Sequence, residues 1–185
     1  MTKEVLTREF SICLLPTADV TEDIEALRAT LPESPYRDDV PHITLLRGIA
    51  SDTDMSDKAL ADDIASTLSL SSQLPLTCTV KAFENRSNQF YSSTGAAVLE
   101  SSLELFELRK DAVQRLMERG YTVEAQELST YTPHITIRLG VPLQGKAMAE
   151  AMIAFGNRTI SFSGWLLFRL VVQDDKRLMR VVYSG

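Results

Sequence analysis

Histidine occurs only twice in this 185-residue chain, at His42 and His134. Both lie in the word Pro-His-Ile-Thr, within PHITLLRG (41–48) and PHITIRLG (133–140). At average residue frequencies, three matching neighbours around two histidines have odds of roughly 1 in 10,000. On an extended strand, residues i and i+2 face the same way. His42 therefore shares a face with Thr44, and His134 with Thr136, while Ile43, Leu45, Ile135 and Ile137 turn to the other face as core. An imidazole, with an ordinary pKa near 6.5, takes up or gives a proton around neutral pH. A hydroxyl beside it can donate to a non-bridging phosphate oxygen. Two such pairs facing one cleft suit in-line attack on phosphorus: one histidine takes a proton from the incoming water or hydroxyl, and the other protonates the leaving oxygen. Zinc sites commonly need three or four ligands. Neither motif offers a second ligand at a useful spacing, so no metal and no cofactor is expected.

Hydrophobic periodicity supplies the elements that must carry these residues. An apolar run at 9–16 reads as a strand stopped by Pro16. Residues 18–31 read as a helix, with Asp19 and Glu22 spaced as a capping box. The first His-Ile-Thr strand follows, then a helix over 56–70, a strand over 74–85 and a hairpin partner over 88–93. The order then recurs: a strand at 95–101, a helix at 102–120 closed by Gly120, the second His-Ile-Thr strand, a helix at 145–156, and strands at 159–173 and 177–185. The histidines are 92 residues apart, half the chain length, and a structural duplication accounts for the pattern. The chain is expected to be one two-lobed domain whose halves run over about 1–94 and 95–185.

Composition sets limits on the partner. The formal net charge is −6, with 44% apolar and 24% charged residues. That is the balance of an ordinary globular protein, without the basic excess of a protein that grips duplex nucleic acid along its length. A small nucleotide or an RNA terminus remains as substrate. No apolar run approaches the roughly 20 residues of a membrane span, and the N-terminus MTKEVLTREF lacks the apolar stretch of a signal peptide. Cys13 and Cys78 lie in apolar segments and read as buried thiols of a reducing compartment. A cytoplasmic monomer is expected. The acidic runs at 51–57 and 173–176 lack the ligand pattern of a calcium loop.

The paired words, histidine then an apolar residue then threonine, once per half, resemble the two-histidine (2H) phosphoesterase superfamily, which includes RNA 2′,5′-ligase-like proteins and cyclic phosphodiesterases. His42, Thr44, His134 and Thr136 match its pattern residue by residue. The resemblance implies an α+β fold of two pseudo-twofold lobes, with antiparallel sheets flanked by helices around a central cleft. It also implies metal-independent chemistry on 2′,3′-cyclic phosphates or related cyclic phosphates. The activity expected first is hydrolysis; the reverse reaction, forming a 2′,5′ linkage, uses the same four groups, and a non-catalytic nucleotide-binding module is a third reading. Arg138, the fourth residue after His134, would share the cleft face by strand parity and meet phosphate, or be solvated if the strand has left the cleft. By the same parity Arg47 faces away unless the strand bends. Tyr36 and Tyr131 are the candidate surfaces for a stacked base.

Overall fold

The computed structural model describes residues 5–34, 39–52, 55–87, 93–124, 131–173 and 176–185, with the backbone alone for 5–8, 170–173 and 176–178. In chain order the elements are β1 (Val5–Pro16), α1 (Ala18–Thr30), β2 (Ile43–Ile49), α2 (Asp57–Leu68), β3 (Leu76–Arg86), β4 (Thr94–Leu99), α3 (Leu103–Glu118), β5 (His134–Arg138), α4 (Gly145–Phe155), β6 (Thr159–Gln173) and β7 (Lys176–Ser184). The fold is α+β, a seven-stranded antiparallel sheet with four helices. Serine hydroxyls set two of the helix starts: Ser56 accepts from Ala59 N–H at 3.3 Å and Ser102 from Leu105 N–H at 3.1 Å. At the end of α3, Gly120 takes φ +93° and Tyr121 N–H closes onto Leu116 carbonyl at 2.9 Å. Helix α1 starts two residues earlier than a box at Asp19 and Glu22 requires. Its N-cap is Thr17, and Asp19 falls in the first turn.

The sheet order is β2-β1-β6-β3-β4-β5, with β7 also paired to β6. Matching β1, β2 and β3 to β4, β5 and β6 turns this order into itself read backwards. A pseudo-twofold axis therefore passes between β3 and β6. The helices obey it too, since α1 packs on α4 as α3 packs on α2. One sheet path joins the halves because β3 changes partner midway: Leu76–Thr79 lie against β6 and Val80–Arg86 against β4. The hairpin partner expected at 88–93 lies, apart from Ser93, outside the described residues.

A single apolar cluster runs through both halves, from Phe10, Ile12 and Leu14 to Ile135, Ile137 and Phe162. The strands at the two ends of the path, β2 and β5, approach each other. These edge strands carry the two His-Ile-Thr words.

Candidate active site

Between β2 and β5 opens a cleft of about 400 Å³, within the range of small-ligand sites. His42, Thr44, His134 and Thr136 all line it, while Ile43, Leu45, Ile135 and Ile137 are at most 1% exposed. Strand alternation has thus divided each word between core and cleft.

Both imidazoles are held alike. His42 Nδ1 lies 2.7 Å from the carbonyl of Val40, and His134 Nδ1 lies 3.1 Å from that of Thr132, in each case two residues upstream. A carbonyl only accepts, so Nδ1 carries the hydrogen, and in the neutral ring Nε2 keeps the lone pair. Arg86 Nη1 also stands 3.1 Å from His134 Nδ1. That contact would be a hydrogen bond only in the opposite tautomer. Because His42 repeats the backbone contact at the equivalent place, we assign Nδ1–H to His134 and treat the arginine as a neighbouring charge. Burial, followed by the charges of Arg86 and His42, holds His134 below its usual pKa, against the raising effects of the Thr132 carbonyl and Glu84.

A β-bulge follows each word. Cys13 pairs with Thr44 and Ile12 with Leu46; Ala96 pairs with Thr136 and Gly95 with Arg138. Leu45 and Ile137 are therefore extra residues at equivalent points, left out of the ladder register. An arginine from the opposite half meets each of their carbonyls. Arg28 of α1 donates from Nε to Ile137 carbonyl at 2.7 Å and from Nη2 to Thr136 carbonyl at 2.9 Å. Arg109 of α3 donates from Nε to Leu45 carbonyl at 3.1 Å. These arginines are only 4% and 3% exposed, deep burial for cations, so their hydrogen bonds are a structural requirement. Beyond the bulges, Gly48 near the end of β2 and Gly140 just past β5 take the left-handed φ values +63° and +68°. At Gly48 a Cβ would stand 2.5 Å from Glu124 Cβ, so a side chain is excluded on space as well.

The bulge also changes which later residues see the cleft. One extra residue reverses strand parity, so Arg47 lines the cleft, ion-paired to Glu124 at 3.1 Å. Arg138 does not join the cleft. Its guanidinium caps the end of α1, donating to the carbonyls of Arg28 at 2.8 Å and Pro32 at 3.2 Å. Tyr131 does line the cleft, but its hydroxyl donates to Thr44 carbonyl at 2.9 Å and the Arg109 guanidinium sits 4.5 Å from its ring centroid. Burial pushes its hydroxyl pKa well up. This tyrosine braces the first word from the second half of the chain, and one face of its ring is already covered. Tyr36 lies outside the described residues.

Sequence reasoning did not single out Arg86, Arg109 or Phe168, which also line the cleft. Three arginines and one aspartate, Asp39, make the wall cationic in a chain of net charge −6. That local reversal of charge favours an anionic ligand. Among the described residues no three His, Cys, Asp or Glu side chains gather as a metal-ligand set, and no helix is long and apolar enough to cross a membrane.

The model of the 2′-5′ RNA ligase superfamily matches residues 16–171. A search of curated protein sequences finds no match. Among solved structures the chain is similar to E. coli LigT complexed with NADP+, at 15% identity over 98% of each chain and a TM-score of 0.56, and equally to LigT complexed with 3′-AMP. It is also similar to TT0787 of Thermus thermophilus, at 16% identity over 95% of this chain and 96% of that one, with a TM-score of 0.58. These identities bear on fold alone. The matched stretch contains both His-Ile-Thr strands and the arginines that brace them, and by that match the chain belongs to the 2′-5′ RNA ligase superfamily, the two-histidine phosphoesterases.

Proposed function

We propose that the protein hydrolyses 2′,3′-cyclic phosphates, on a nucleotide or an RNA end, or a related cyclic phosphate, by metal-independent general acid–base catalysis. One observation carries this reading: two histidines at equivalent places in one cleft each bind a carbonyl through Nδ1, which leaves Nε2 for proton transfer. His134, kept neutral by its surroundings, takes a proton from water as the water oxygen bonds to phosphorus. The bond from phosphorus to one ribose oxygen breaks, and His42 gives that oxygen its proton. The product is a ring-opened phosphate monoester, and the two histidines have exchanged protonation states. Thr44 and Thr136 donate to the non-bridging oxygens as charge builds there.

With the 5′-hydroxyl of a second RNA end in place of water, the same groups run ligation: one histidine takes the hydroxyl proton as its oxygen bonds to phosphorus, the bond to the 3′-oxygen breaks, the other histidine protonates that oxygen, and a 2′,5′ linkage remains. The family match favours keeping that activity as the second reading. LigT has been crystallised with ATP, NADP+ and 3′-AMP, and we take a small nucleotide as this chain's ligand as well. Cys13 and Cys78 are both buried, in keeping with work in the cytoplasm. Incubation with a panel of 2′,3′-cyclic nucleotides in EDTA tests the proposal. Turnover is expected to survive the chelator; loss that only zinc or manganese restores would overturn metal independence, and no turnover of any cyclic phosphate would overturn the hydrolase reading.

A further inference from the structure

The reacting groups obey the pseudo-twofold axis, but the two ends of the cleft do not. Ser11 pairs with Phe168 across β1 and β6, and Thr94 with Arg86 across β4 and β3. Phe168 and Arg86 are therefore equivalent positions, and each stands beside the histidine of its own end. The Phe168 ring centroid lies 6.3 Å from that of His42, while Arg86 Nη1 lies 3.1 Å from His134 Nδ1. Beyond His42 the wall carries Phe168 and Met179 beside Ser11; beyond His134 it carries Arg86 and Ser87 beside Thr94, so the apolar ring at one end faces a cation at the other.

The described residues do not satisfy the Arg86 guanidinium. With His134 Nδ1–H committed to Thr132, Nη1 faces another donor. Nε is buried and has no hydrogen-bond partner among the described residues. Among those residues only Nη2 finds an acceptor, Glu84 at 3.4 Å, and that carboxylate is half exposed. A cation with donors left over in a cleft calls for an acceptor from outside, and a phosphate matches a guanidinium best. The scissile phosphate belongs at Nε2, on the far edge of the His134 ring, and the His42 end has no cation in the equivalent place.

We propose that the Arg86 corner binds a second, non-scissile phosphate, so that the preferred substrate carries one phosphate more than a nucleoside 2′,3′-cyclic phosphate. A 5′-phosphomonoester and the next phosphodiester of an RNA end both supply that chemistry. The inference rests on the cleft being the substrate site, and it fixes the direction in which the substrate lies: further phosphate toward His134, uncharged part toward Phe168.

Titration calorimetry on the full chain, in EDTA at constant ionic strength, tests it without requiring turnover. The probes are adenosine 3′-phosphate, adenosine 3′,5′-bisphosphate and a 3′-phosphorylated diadenosine. One or two charge-assisted hydrogen bonds correspond to roughly tenfold to a hundredfold in affinity. Wild type is expected to bind the bisphosphate, the dinucleotide or both tighter than the monophosphate by that factor, and which of them gains identifies the source of the second phosphate. Arg86→Gln is expected to erase the difference and Arg86→Lys to keep part of it. Arg47→Gln, which removes another cleft cation, is expected to leave it in place. Equal affinities in wild type, or a difference that survives in Arg86→Gln, overturns the proposal. Failure of the hydrolase reading is seen separately, as absent turnover of cyclic phosphates alongside an intact preference for the second phosphate.

Discussion

Arg28→Lys isolates the brace behind the second His-Ile-Thr strand. Arg28 spreads its donors over the carbonyls of Ile137, Thr136 and Asp39 at 2.7–2.9 Å and over Glu25 at 2.7 Å. Lysine keeps the charge but concentrates its donors on one nitrogen, which cannot span the fork. At least two carbonyls then lose their donor. Hydrogen bonds to a charged group are worth about 1.5–3 kcal/mol each and are not additive, so roughly 2–4 kcal/mol of stability is at stake. In a chain of this size each kcal/mol moves Tm by about 2–4 °C, giving a fall of roughly 4–16 °C. Because one freed carbonyl belongs to Thr136 and lies two residues from His134, kcat is expected to fall by tenfold or more with little change in KM. Misplacement of about 1 Å can cost a hundredfold. Thermal melts and steady-state kinetics on a cyclic nucleotide are run beside Ile64→Ala, a truncation of a fully buried residue on α2 expected to cost about 2–5 kcal/mol. If Arg28→Lys melted low yet kept kcat as Ile64→Ala is expected to, the arginine would be structural only. An unchanged Tm would show that its hydrogen bonds carry no net stability.

His42→Ala and His134→Ala are each expected to lower kcat by about 10²–10⁴-fold, with the double variant losing less than the product, as single-turnover rates would show. Thr44→Ala and Thr136→Ala are expected to cost up to about 10²–10³-fold, since each removes a donor to the developing charge. His134 also leaves a mark on stability. Its folded pKa lies below the unfolded value near 6.5, so as pH falls the unfolded chain takes up the proton first. Its contribution is complete above about pH 6.5 and is lost below it. Urea titrations from pH 8 to 5 should therefore show a steeper acid decline in wild type than in His134→Gln; equal slopes would refute the shift.

The order of strands and helices was legible because each element states its own periodicity. Of the candidate site, the shared cleft face of His42, Thr44, His134 and Thr136 was legible because the face of a residue within three positions depends on strand geometry alone. Past the threonine, local reasoning failed. The bulges at Leu45 and Ile137 arise from register against β1 and β4, distant strands that a local pattern cannot see. Parity counted straight through them put Arg138 in the cleft and Arg47 outside, the reverse of their places. Arg28 and Arg109 read as ordinary polar positions on amphipathic helices. Their acceptors lie 108 and 109 residues away for Arg28 and 64 for Arg109, so only the folded chain reveals the use of their charge.

The palindromic sheet has a consequence for how such a chain can be divided. β1 lies against β6, β4 against β3, and β3 against β6, so each of these three joins links a strand of one half to a strand of the other. A half chain ending after β3 would expose unpaired edges and could close its sheet only on a second copy of itself. That homodimer would form one cleft from two identical subunits, and by symmetry whatever residue stood at one end would stand at the other. It could have two arginines flanking its histidines, or two phenylalanines, but not one of each. Joining the halves in a single polypeptide removes that constraint. The linkage between β3 and β4 is what allows a cleft with symmetric chemistry to hold its substrate in one direction only.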